Sequence, residues 1–587
     1  MNLEKIQKTV VLLLQVLLLL VCLGVVCFLG MQGPGRGRQE STVQTDETTA
    51  EGTTDGTGDG YTDGKNPATG DGGEKDTDQS DDGAGDDIDG QGDTGGQADA
   101  DAQQDVAYEA WLDGWYRDEY GRWRQRRDGG NGYGHSGTGV DAGKGTGSGK
   151  NIGTGTNTVQ SDDSDEAAQS EEEPYVPPTI MLVSDLHYMS STTHDDGEAF
   201  YKMVEGDDGK ISQYSDEMLD ALIEKAIEEQ PAALVLTGDI TLNGEWENHE
   251  KLAEKLRGLQ EAGVPVVVIP GNHDINNKNS AVYFGKEKEK APYLESGADF
   301  YDIYHEFGYD QSPNRDESSL SYVYPLDATH WLLMLDTAQY DDYNHVGGRL
   351  KPETLAWLQV HLQTARENGI QVLPMGHHNL LQESRLYTDD CTLENASAAV
   401  QLLEASKVPL YISGHLHAQR IKKRQNEPGI SDEIYSISEI VLSPYSMPPN
   451  QYGSLSWDLD DNMKFETKRV DMQAYAAAHG LTNPELTAYD SWAPEYLKSV
   501  MRQQVAKKIL SVPDDLKERM ASLYAELYYD YCSGNALDWD EVRTTSAWKL
   551  WQRVDPKGTY TAEIGEMIED VRQPQHDWSW EKPADRG

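Results

Sequence analysis

Five short apolar runs constrain the fold of this chain, because each is followed directly by a cluster of polar, chemically reactive side chains. The runs are rich in Val, Ile, Leu and Ala and cover residues 179–183, 232–236, 265–269, 370–373 and 408–412. Runs of this length and composition are typical of buried β-strands. The clusters that follow them are Asp185-Leu186-His187, Gly238-Asp239, Gly271-Asn272-His273-Asp274, His377-His378 and Gly414-His415-Leu416-His417. Each cluster is therefore predicted at a strand end, where the edge of a sheet brings distant residues together.

Helix signals alternate with these strands. The predicted helices cover residues 216–229, 247–260 and 353–368. Ser215 is the predicted N-cap of the first, and the third begins after Pro352 and ends before Gly369. Later segments, residues 433–442, 454–459 and 463–470, have the pattern of antiparallel strands. We therefore predict an α/β fold with two sheets and helices outside them.

The polar clusters supply carboxylate oxygens, imidazole nitrogens and one amide oxygen, without a thiolate. This donor set suits Mn, Fe, Zn or Co, and it argues against a Ca site or a Cys-rich structural Zn site. We predict two divalent metal ions. The first ion takes Asp185, His187 and His417, the second takes Asn272, His377 and His415, and Asp239 bridges them. Two metals about 3.5 to 4 Å apart neutralise phosphate charge and stabilise in-line attack on phosphorus.

Two histidines in the clusters are left for other roles. His273 is predicted to donate a proton to the leaving group, with Asp274 holding its imidazole in the required tautomer. The pair His377-His378 leaves an ambiguity, which we resolve by assigning the first histidine after the strand to the metal and His378 to a supporting position behind the ligands. Taken alone, each cluster is more often a turn than a site, so the prediction depends on all five occurring in order.

Charge and composition divide the chain unevenly. Of its 587 residues, 102 are acidic and 49 are basic, which gives a formal net charge of −53. Residues 32–175 consist mostly of Gly, Asp, Thr, Ser, Gln and Glu, and such a segment buries too little apolar surface to offset its conformational entropy. We predict that this segment is a disordered acidic linker. Its charge disfavours binding to a nucleic-acid duplex.

Residues 1–31 form a predicted N-terminal membrane anchor. Lys5 and Lys8 precede an apolar stretch, residues 10–31, that is about long enough to cross a bilayer once as a transmembrane helix. A cleaved signal peptide is the alternative, although the stretch has no small-x-small cleavage site at its end. The short basic start and the acidic linker favour a catalytic domain outside the cytoplasmic membrane, held by a single span, or secreted if the segment is cleaved.

An aromatic patch, residues 107–127, interrupts the linker. Its aromatic side chains flank Asp118-Glu119-Tyr120-Gly121, a sequence typical of a hairpin turn. The patch resembles one unit of the aromatic repeats that bind bacterial wall polymers, and the resemblance predicts a contact with the cell wall. Because such repeats work in arrays and an isolated hairpin is marginally stable, an aromatic patch without a specific partner is the favoured interpretation, and a cell-wall contact is the alternative.

The order and residue identities of the five clusters resemble the motifs of calcineurin-like metallophosphoesterases, over about residues 178–470. The resemblance implies the four-layer metallophosphoesterase fold for residues 176–470, a two-sheet β-sandwich flanked by helices, and it implies the ligand roles given above. A finer resemblance is to bacterial class III cyclic-nucleotide phosphodiesterases, at residues 184–188, 238–245, 270–275 and 300–308. That group carries a C-terminal α-helical domain, expected here over residues 471–587, where residues 496–510, 513–532 and 540–553 have helical spacing.

The predicted function is hydrolysis of a phosphodiester, such as a 3',5'-cyclic nucleotide, by an anchored two-metal enzyme. One alternative is a broad phosphomonoesterase or nucleotidase that scavenges phosphate, and another is an anchored wall-binding protein with a vestigial metal site. The insert over residues 275–310 is a candidate for stacking a base or, equally, for simply covering the sheet. Asn243, His345 and Arg349 are candidates for phosphate contacts.

Overall fold

The computed structural model describes residues 115–117, 123–125, 175–424, 435–509, 512–555 and 558–583. The predicted anchor and most of the predicted linker lie outside these residues, so both stay predictions. In the part of the chain that is described, no helix is both long enough and apolar enough to cross a membrane.

Sixteen strands lie in the described residues. They are β1 Trp115–Arg117, β2 Trp123–Gln125, β3 Thr179–Val183, β4 Ala233–Thr237, β5 Val266–Ile269, β6 Ala281–Phe284, β7 Glu287–Lys290, β8 Tyr322–Pro325, β9 His330–Leu335, β10 Gln371–Gly376, β11 Leu410–Ser413, β12 Arg420–Lys423, β13 Ser438–Val441, β14 Gln451–Trp457, β15 Met463–Arg469 and β16 Asp577–Trp580. The five apolar runs correspond to β3, β4, β5, β10 and β11, as predicted, with bounds that shift by at most a few residues.

Thirteen α-helices lie in the same described ranges. They are α1 Glu198–Gly206, α2 Ser215–Glu229, α3 Trp246–Glu261, α4 Gly297–Tyr304, α5 Pro352–Asn368, α6 Ala396–Ala405, α7 Met472–Ala478, α8 Pro484–Thr487, α9 Tyr489–Lys508, α10 Asp514–Ser533, α11 Trp539–Thr544, α12 Ser546–Val554 and α13 Thr559–Asp570. The sequence signals at α5 are confirmed, since Pro352 opens this helix and Gly369 ends it with a φ of 67°.

Two mixed six-stranded sheets form the body of the protein. The first has the order β16-β15-β14-β3-β4-β5, in which β3, β4 and β5 run parallel. The second has the order β12-β13-β11-β10-β9-β8, in which β9, β10, β11 and β13 run parallel. Segment 433–442 was expected to be antiparallel, but β13 lies between a parallel and an antiparallel neighbour. The predicted antiparallel pairing of the next two strands, β14 and β15, is confirmed.

The two sheets face each other across a shared core. Leu332 and Met334 of β9 pack into the core that also contains residues of β3, β4 and β5. Alternate residues of β9, Trp331, Leu333 and Leu335, pack on the opposite face against α5 and α6. This alternation follows from the two-residue period of a strand. With α3 against β5, the result is an α/β fold in which helices flank a pair of sheets.

The segment after residue 470 is mainly helical. Its helices α9, α10, α12 and α13 contribute to a second core, which they share with Leu416, Ala418, Val441 and Met447. The helix predicted over residues 540–553 is divided into α11 and α12, because Thr545 is extended and its hydroxyl accepts a hydrogen bond from the backbone of Trp548. The chain then returns to the first sheet, where β16 pairs antiparallel with β15. The helical prediction for residues 471–587 does not include this strand.

Two further expectations concern local structure. Ser215 was expected to cap α2, but it is the first residue of that helix, and its hydroxyl accepts from the backbone of Met189 at 3.0 Å. In the aromatic patch, β1 and β2 pair antiparallel around the predicted turn, with Trp115 opposite Gln125 and Arg117 opposite Trp123. The two strands therefore pair as the predicted hairpin requires, while the predicted turn lies outside the described residues and the contact with a wall polymer stays a prediction.

Candidate metal centre

The loops that carry the five clusters meet where parallel strands of both sheets end. Three clusters follow β3, β4 and β5 of the first sheet, and two follow β10 and β11 of the second. The two sets of loops are joined by hydrogen bonds. His377 Nδ1 donates to the carbonyl of Thr237 at 3.0 Å, and the backbone of His415 donates to the carboxylate of Asp185 at 3.1 Å. Residues that are up to 230 positions apart in the chain are thereby brought side by side.

The first group of donors consists of Asp185, His187, Asp239 and His417, whose ligand atoms all lie within 4.8 Å of one another. His417 Nε2 is 3.1 Å from His187 Nε2 and 3.4 Å from Asp185 Oδ1. His187 Nε2 is 3.9 Å from Asp239 Oδ2. Two imidazole nitrogens and two carboxylates thus face one point, which is the arrangement predicted for one metal with its bridging carboxylate.

The second group is centred on His377. Its Nε2 lies 3.1 Å from Asn272 Oδ1 and 3.2 Å from Asp239 Oδ2. Asp239 therefore lies between the two groups, within 4 Å of a histidine nitrogen of each. This is the position that a bridging ligand requires.

His415 and His378 complete the surroundings of this second group. His415 Nε2 contacts the carbonyl oxygen of Asp390 at 3.1 Å, so Nδ1 is the nitrogen left for a cation. Both ring nitrogens of His378 are engaged, Nδ1 with the Thr337 hydroxyl at 2.8 Å and Nε2 with the carbonyl of Val346 at 2.9 Å. One ligand atom from each of His377, His378 and His415 lies within 4.8 Å of the others. The two engaged nitrogens of His378 favour the supporting position predicted for it, and the assignment of His415 to the metal stays a prediction.

The donors fit a pair of divalent cations. Asp185 and Asp239 are buried carboxylates whose ion-pair partners are imidazoles. Buried charge of this kind persists in proteins when it is paired or coordinates a metal. Oxygen and nitrogen donors without sulfur are those of Mn, Fe, Zn and Co sites, and the identity of the metals stays a prediction.

Backbone strain marks the same residues. Five of the seven predicted ligands, Asp185, His187, Asp239, His415 and His417, have φ between 42° and 67°. Residues other than glycine seldom adopt this left-handed conformation, and where they do it is often at a functional site.

Glycines allow the loops to approach this closely. A Cβ on Gly271 would lie 2.2 Å from Asp239 Oδ1, and one on Gly414 would lie 2.5 Å from Asp185 Oδ2. The glycines of the Gly-Asn-His-Asp and Gly-His-Leu-His clusters are therefore required by packing against the carboxylates of neighbouring loops.

The charges of the centre stabilise one another. Burial opposes ionisation of Asp239, but His377 and His273 outweigh it and hold the pKa of that carboxyl well below its usual range. Against the opposing effect of burial, Asp239 raises the pKa of His377 to about 9, and Asp185 with Asp208 raises the pKa of His417 to about 10. The centre therefore favours positive charge where its donor atoms meet.

His273 lies at the open side of the centre. Its side chain is 31% exposed, and its Nε2 is 4.0 Å from Asp239 Oδ2. Its Nδ1 donates to the carbonyl of Leu242 at 2.6 Å. The imidazole is thus held in one orientation with Nε2 directed to the space where a substrate can enter.

The predicted role of Asp274 is wrong. Its carboxylate accepts from the backbone of Gly271 at 2.8 Å and from the backbone and hydroxyl of Thr241, each at 2.9 Å. A further bond comes from the backbone of Ile240 at 3.2 Å. Asp274 is therefore a buried brace between two loops, and burial raises its pKa to about 6. The tautomer of His273 is set by a backbone carbonyl, which no side-chain motif reveals.

The weaker substrate candidates have other partners. The amide oxygen of Asn243 accepts from Asn277 at 3.3 Å, and Arg349 lies 3.6 Å from Glu394. His345 stacks on Tyr343 with ring centroids 3.8 Å apart. The insert over residues 275–310 forms the β6–β7 hairpin and α4. The roles of these residues in substrate binding stay predictions.

Two residues near the centre had no signal in the sequence. Asn344 donates to the carbonyl oxygens of Asn272 and Ile275 and so holds the loop that carries a predicted ligand. Asp208 accepts from His417 Nδ1 at 3.2 Å. It stands in an ordinary acidic turn sequence, Gly206-Asp207-Asp208-Gly209, which by itself predicts only a turn.

The geometry agrees with comparisons to known proteins. Residues 178–419 match the model of the calcineurin-like phosphoesterase family. The chain therefore contains a calcineurin-like phosphoesterase domain, and its class is that of metal-dependent phosphoester hydrolases. Residues 471–573 match the C-terminal domain of cyclic nucleotide phosphodiesterase, so the second part of the chain is of that type.

Two curated relatives carry related names. A probable cyclic nucleotide phosphodiesterase of Xenorhabdus bovienii is 26% identical over 194 residues, which are 33% of this chain and 64% of that protein. One of Psychrobacter arcticus is 23% identical over 250 residues, 42% of this chain and 76% of that protein. Among solved structures, a dimetal phosphatase from Danio rerio is 14% identical with a TM-score of 0.37, and covers 50% of this chain and 96% of its own.

Proposed function

We propose that this chain hydrolyses a phosphodiester bond of a 3',5'-cyclic nucleotide at the dinuclear centre. The observation that carries the proposal is the convergence of the two donor groups on either side of Asp239, with the exposed imidazole of His273 beside them. Support for the substrate comes from the names of the curated relatives and from the match of the C-terminal domain.

The seven predicted ligands form two cation sites. Asp185, His187 and His417 would hold one divalent cation, Asn272, His377 and His415 would hold the other, and Asp239 would be shared between them. Bound there, the two cations supply Lewis acidity that neutralises the phosphate and activates water. Asp185 and Asp239 are buried, so the attraction between cations held there and an anionic ester would be screened less than it is in water.

His273 acts on the leaving oxygen. The carbonyl of Leu242 holds its Nδ1–H, so Nε2 is the nitrogen that takes up and gives back a proton, and it donates to the leaving oxygen from the doubly protonated ring. Opening of a cyclic phosphodiester leaves an alkoxide at the 3' or 5' oxygen, and protonation by Nε2 prevents that charge from accumulating. The product is a nucleoside monophosphate, because the 3' and 5' oxygens belong to the same nucleotide.

The experiment is a substrate panel. The full chain, loaded with Mn²⁺, is assayed against 3',5'-cyclic AMP, cyclic dinucleotides, nucleoside monophosphates and p-nitrophenyl phosphate. The proposal predicts conversion of a cyclic nucleotide to the monophosphate, loss of that conversion in Asp239→Asn, and little release of inorganic phosphate. Activity on monoesters alone would instead establish a phosphomonoesterase, and no turnover with any metal would favour a vestigial site.

We also propose that the enzyme works outside the cytoplasmic membrane. The support is the sequence pattern of Lys5 and Lys8 before the apolar residues 10–31, followed by an acidic linker. Protease treatment of intact cells that express the chain should digest the catalytic domain, while a cytoplasmic marker stays intact. Protection of the domain until the cells are lysed would contradict this location.

A further inference from the structure

A short loop outside all five clusters contacts one of the predicted ligands. This loop, residues 207–210, follows α1 and is called here the Asp208 loop. Asp208 Oδ2 lies 3.2 Å from Nδ1 of His417, and the other carboxylate oxygen of Asp208 lies 2.7 Å from Lys210 Nζ. The side chain of Lys210 is 7% exposed and also lies 3.3 Å from Asp207. The ammonium group therefore fixes the orientation of the carboxylate.

The contact decides which nitrogen of His417 faces the other donors. Because Nδ1 donates to Asp208, the lone pair is on Nε2, and Nε2 is the atom that lies 3.4 Å from Asp185 and 3.1 Å from His187. A carboxylate that holds the far nitrogen of a ligating histidine fixes its tautomer and ring orientation and raises its basicity.

The Asp208 loop is held from its other side by α9 of the C-terminal domain. Gly209 has a φ of 109°, and a Cβ there would lie 2.3 Å from Leu497 Cδ1, so the loop is in close contact with the helix. Gln504 Nε2 donates to the carbonyl of Asp207 at 3.3 Å, and the Tyr496 hydroxyl donates to the carbonyl of Lys210 at 3.4 Å. Position and orientation of the loop thus depend on α9.

The C-terminal domain also holds the segment that carries His417. Its neighbours Leu416 and Ala418 are buried in the core of the C-terminal helices, which also contains Leu497. The backbone of Gln419 donates to the carbonyl of Cys532 in α10 at 2.9 Å. His417 is therefore fixed along its own chain by α10 and through Asp208 by α9.

We infer that Asp208 is a positioning residue for His417, and that the C-terminal helices, through the Asp208 loop, set the affinity of the metal site formed by Asp185, His187 and His417. The inference rests on the proposed function, because it assigns a role within that same metal centre. The C-terminal domain would then help to position the ligands of this metal site.

The first test compares two substitutions of Asp208 by metal titration. The full chain is titrated with Co²⁺, and visible absorption follows the filling of the two sites. Asp208→Ala should weaken one site by about 10- to 100-fold, alter its absorption band and leave the other site unchanged. Asp208→Asn, whose amide oxygen still accepts from Nδ1, should recover most of the lost affinity.

The second test is made from within the C-terminal domain. Leu497→Ala removes the contact with Gly209, whereas Leu527→Ala removes a comparable buried leucine of α10 in the same core. Both should lower thermal stability, but only Leu497→Ala should weaken the Co²⁺ site that Asp208→Ala weakens. This pair separates a general loss of packing from a specific effect on the metal.

The outcomes are distinguishable. If the unaltered chain binds two Co²⁺ ions and neither Asp208→Ala nor Leu497→Ala changes either site, the inference is overturned while the proposed function stands. Equal weakening by Leu497→Ala and Leu527→Ala would overturn the role of α9. If the unaltered chain binds no Co²⁺, the proposed function and this inference both fail.

Discussion

The side chain of His273 is 31% exposed, whereas His187 and His377 are fully buried among carboxylates. The difference in exposure separates two kinds of chemistry within one centre. A buried imidazole whose Nε2 faces carboxylates is suited to hold a cation. A partly exposed imidazole whose Nδ1 is fixed by a carbonyl is suited to transfer a proton through Nε2.

Replacing His273 should therefore affect the leaving group more than the metals. For His273→Gln we expect two bound metal ions and a loss of about 10² to 10⁴-fold in kcat on esters with poor leaving groups. Activated aryl esters should slow much less, because their leaving oxygens need no proton. His305→Gln, at a half-exposed histidine paired with Asp310, is the control. An equal loss on both classes of ester would show that His273 is not the proton donor.

Asp274 is expected to act on stability. Its carboxylate accepts four hydrogen bonds from the loops that begin at Asp239 and Gly271, and an amide in its place directs an N–H group at those donors. Asp274→Asn should lower the free energy of unfolding of the metal-free protein by about 1 to 3 kcal/mol, as measured by urea denaturation. Asp302→Asn, on the exposed surface, should leave it unchanged. A stable Asp274→Asn variant with the kinetic pattern of His273→Gln would restore the role first predicted for Asp274.

At the level of strands and loops, the centre depends on how closely the loops after neighbouring strands approach. Asp239 follows β4 and Gly271 follows β5, and these parallel neighbours place the two loops side by side. A side chain larger than hydrogen at Gly271 meets Asp239 at its oxygen and at its backbone nitrogen, 2.2 and 2.3 Å away. The loop, rather than the strand, is therefore the element whose sequence is most restricted.

Gly271→Ala tests this restriction. We expect it to displace Asp239 and to weaken metal binding by at least about 10-fold in a Co²⁺ titration. Gly258→Ala, at an exposed position in α3 where a Cβ meets nothing within 4 Å, should stabilise the protein by up to about 1 kcal/mol and leave the metals unaffected. Unchanged metal affinity in Gly271→Ala would show that the loop can move away at little cost.

For the molecule as a whole, the sequence predicts those parts of the structure that follow from residue patterns within a few positions of one another. The buried strands β3, β4, β5, β10 and β11 follow from short apolar runs, and the donors that meet at their ends follow from residue type. The sequence does not predict the contacts of the His273 and His417 rings, because one partner is the backbone carbonyl of Leu242 and the other is Asp208, an acidic residue in an unremarkable turn. Such partners depend on tertiary packing.

In the C-terminal domain, too, the sequence predicts the helices but not their tertiary contacts. Its helices have apolar faces with recognisable spacing, so their existence is predictable. The return of β16 to pair with β15, and the burial of Leu416 and Ala418 against α9 and α10, depend on how this domain docks. These contacts make it part of the body of the protein, which agrees with its proposed influence on the metal centre.

Seven residues are proposed to hold two metal ions, with Asp239 shared between them, and the number of metal ions bound per chain decides whether they do. The full chain and Asp239→Asn are equilibrated with Mn²⁺ and dialysed, and the metal per chain is determined by elemental analysis, with Asp316→Asn, a buried carboxylate outside the centre, as control. We expect two ions per chain for the unaltered protein and for Asp316→Asn, and fewer than one for Asp239→Asn. Two ions retained by Asp239→Asn, or none bound by the unaltered chain, would show that these residues do not form a dinuclear centre bridged by Asp239.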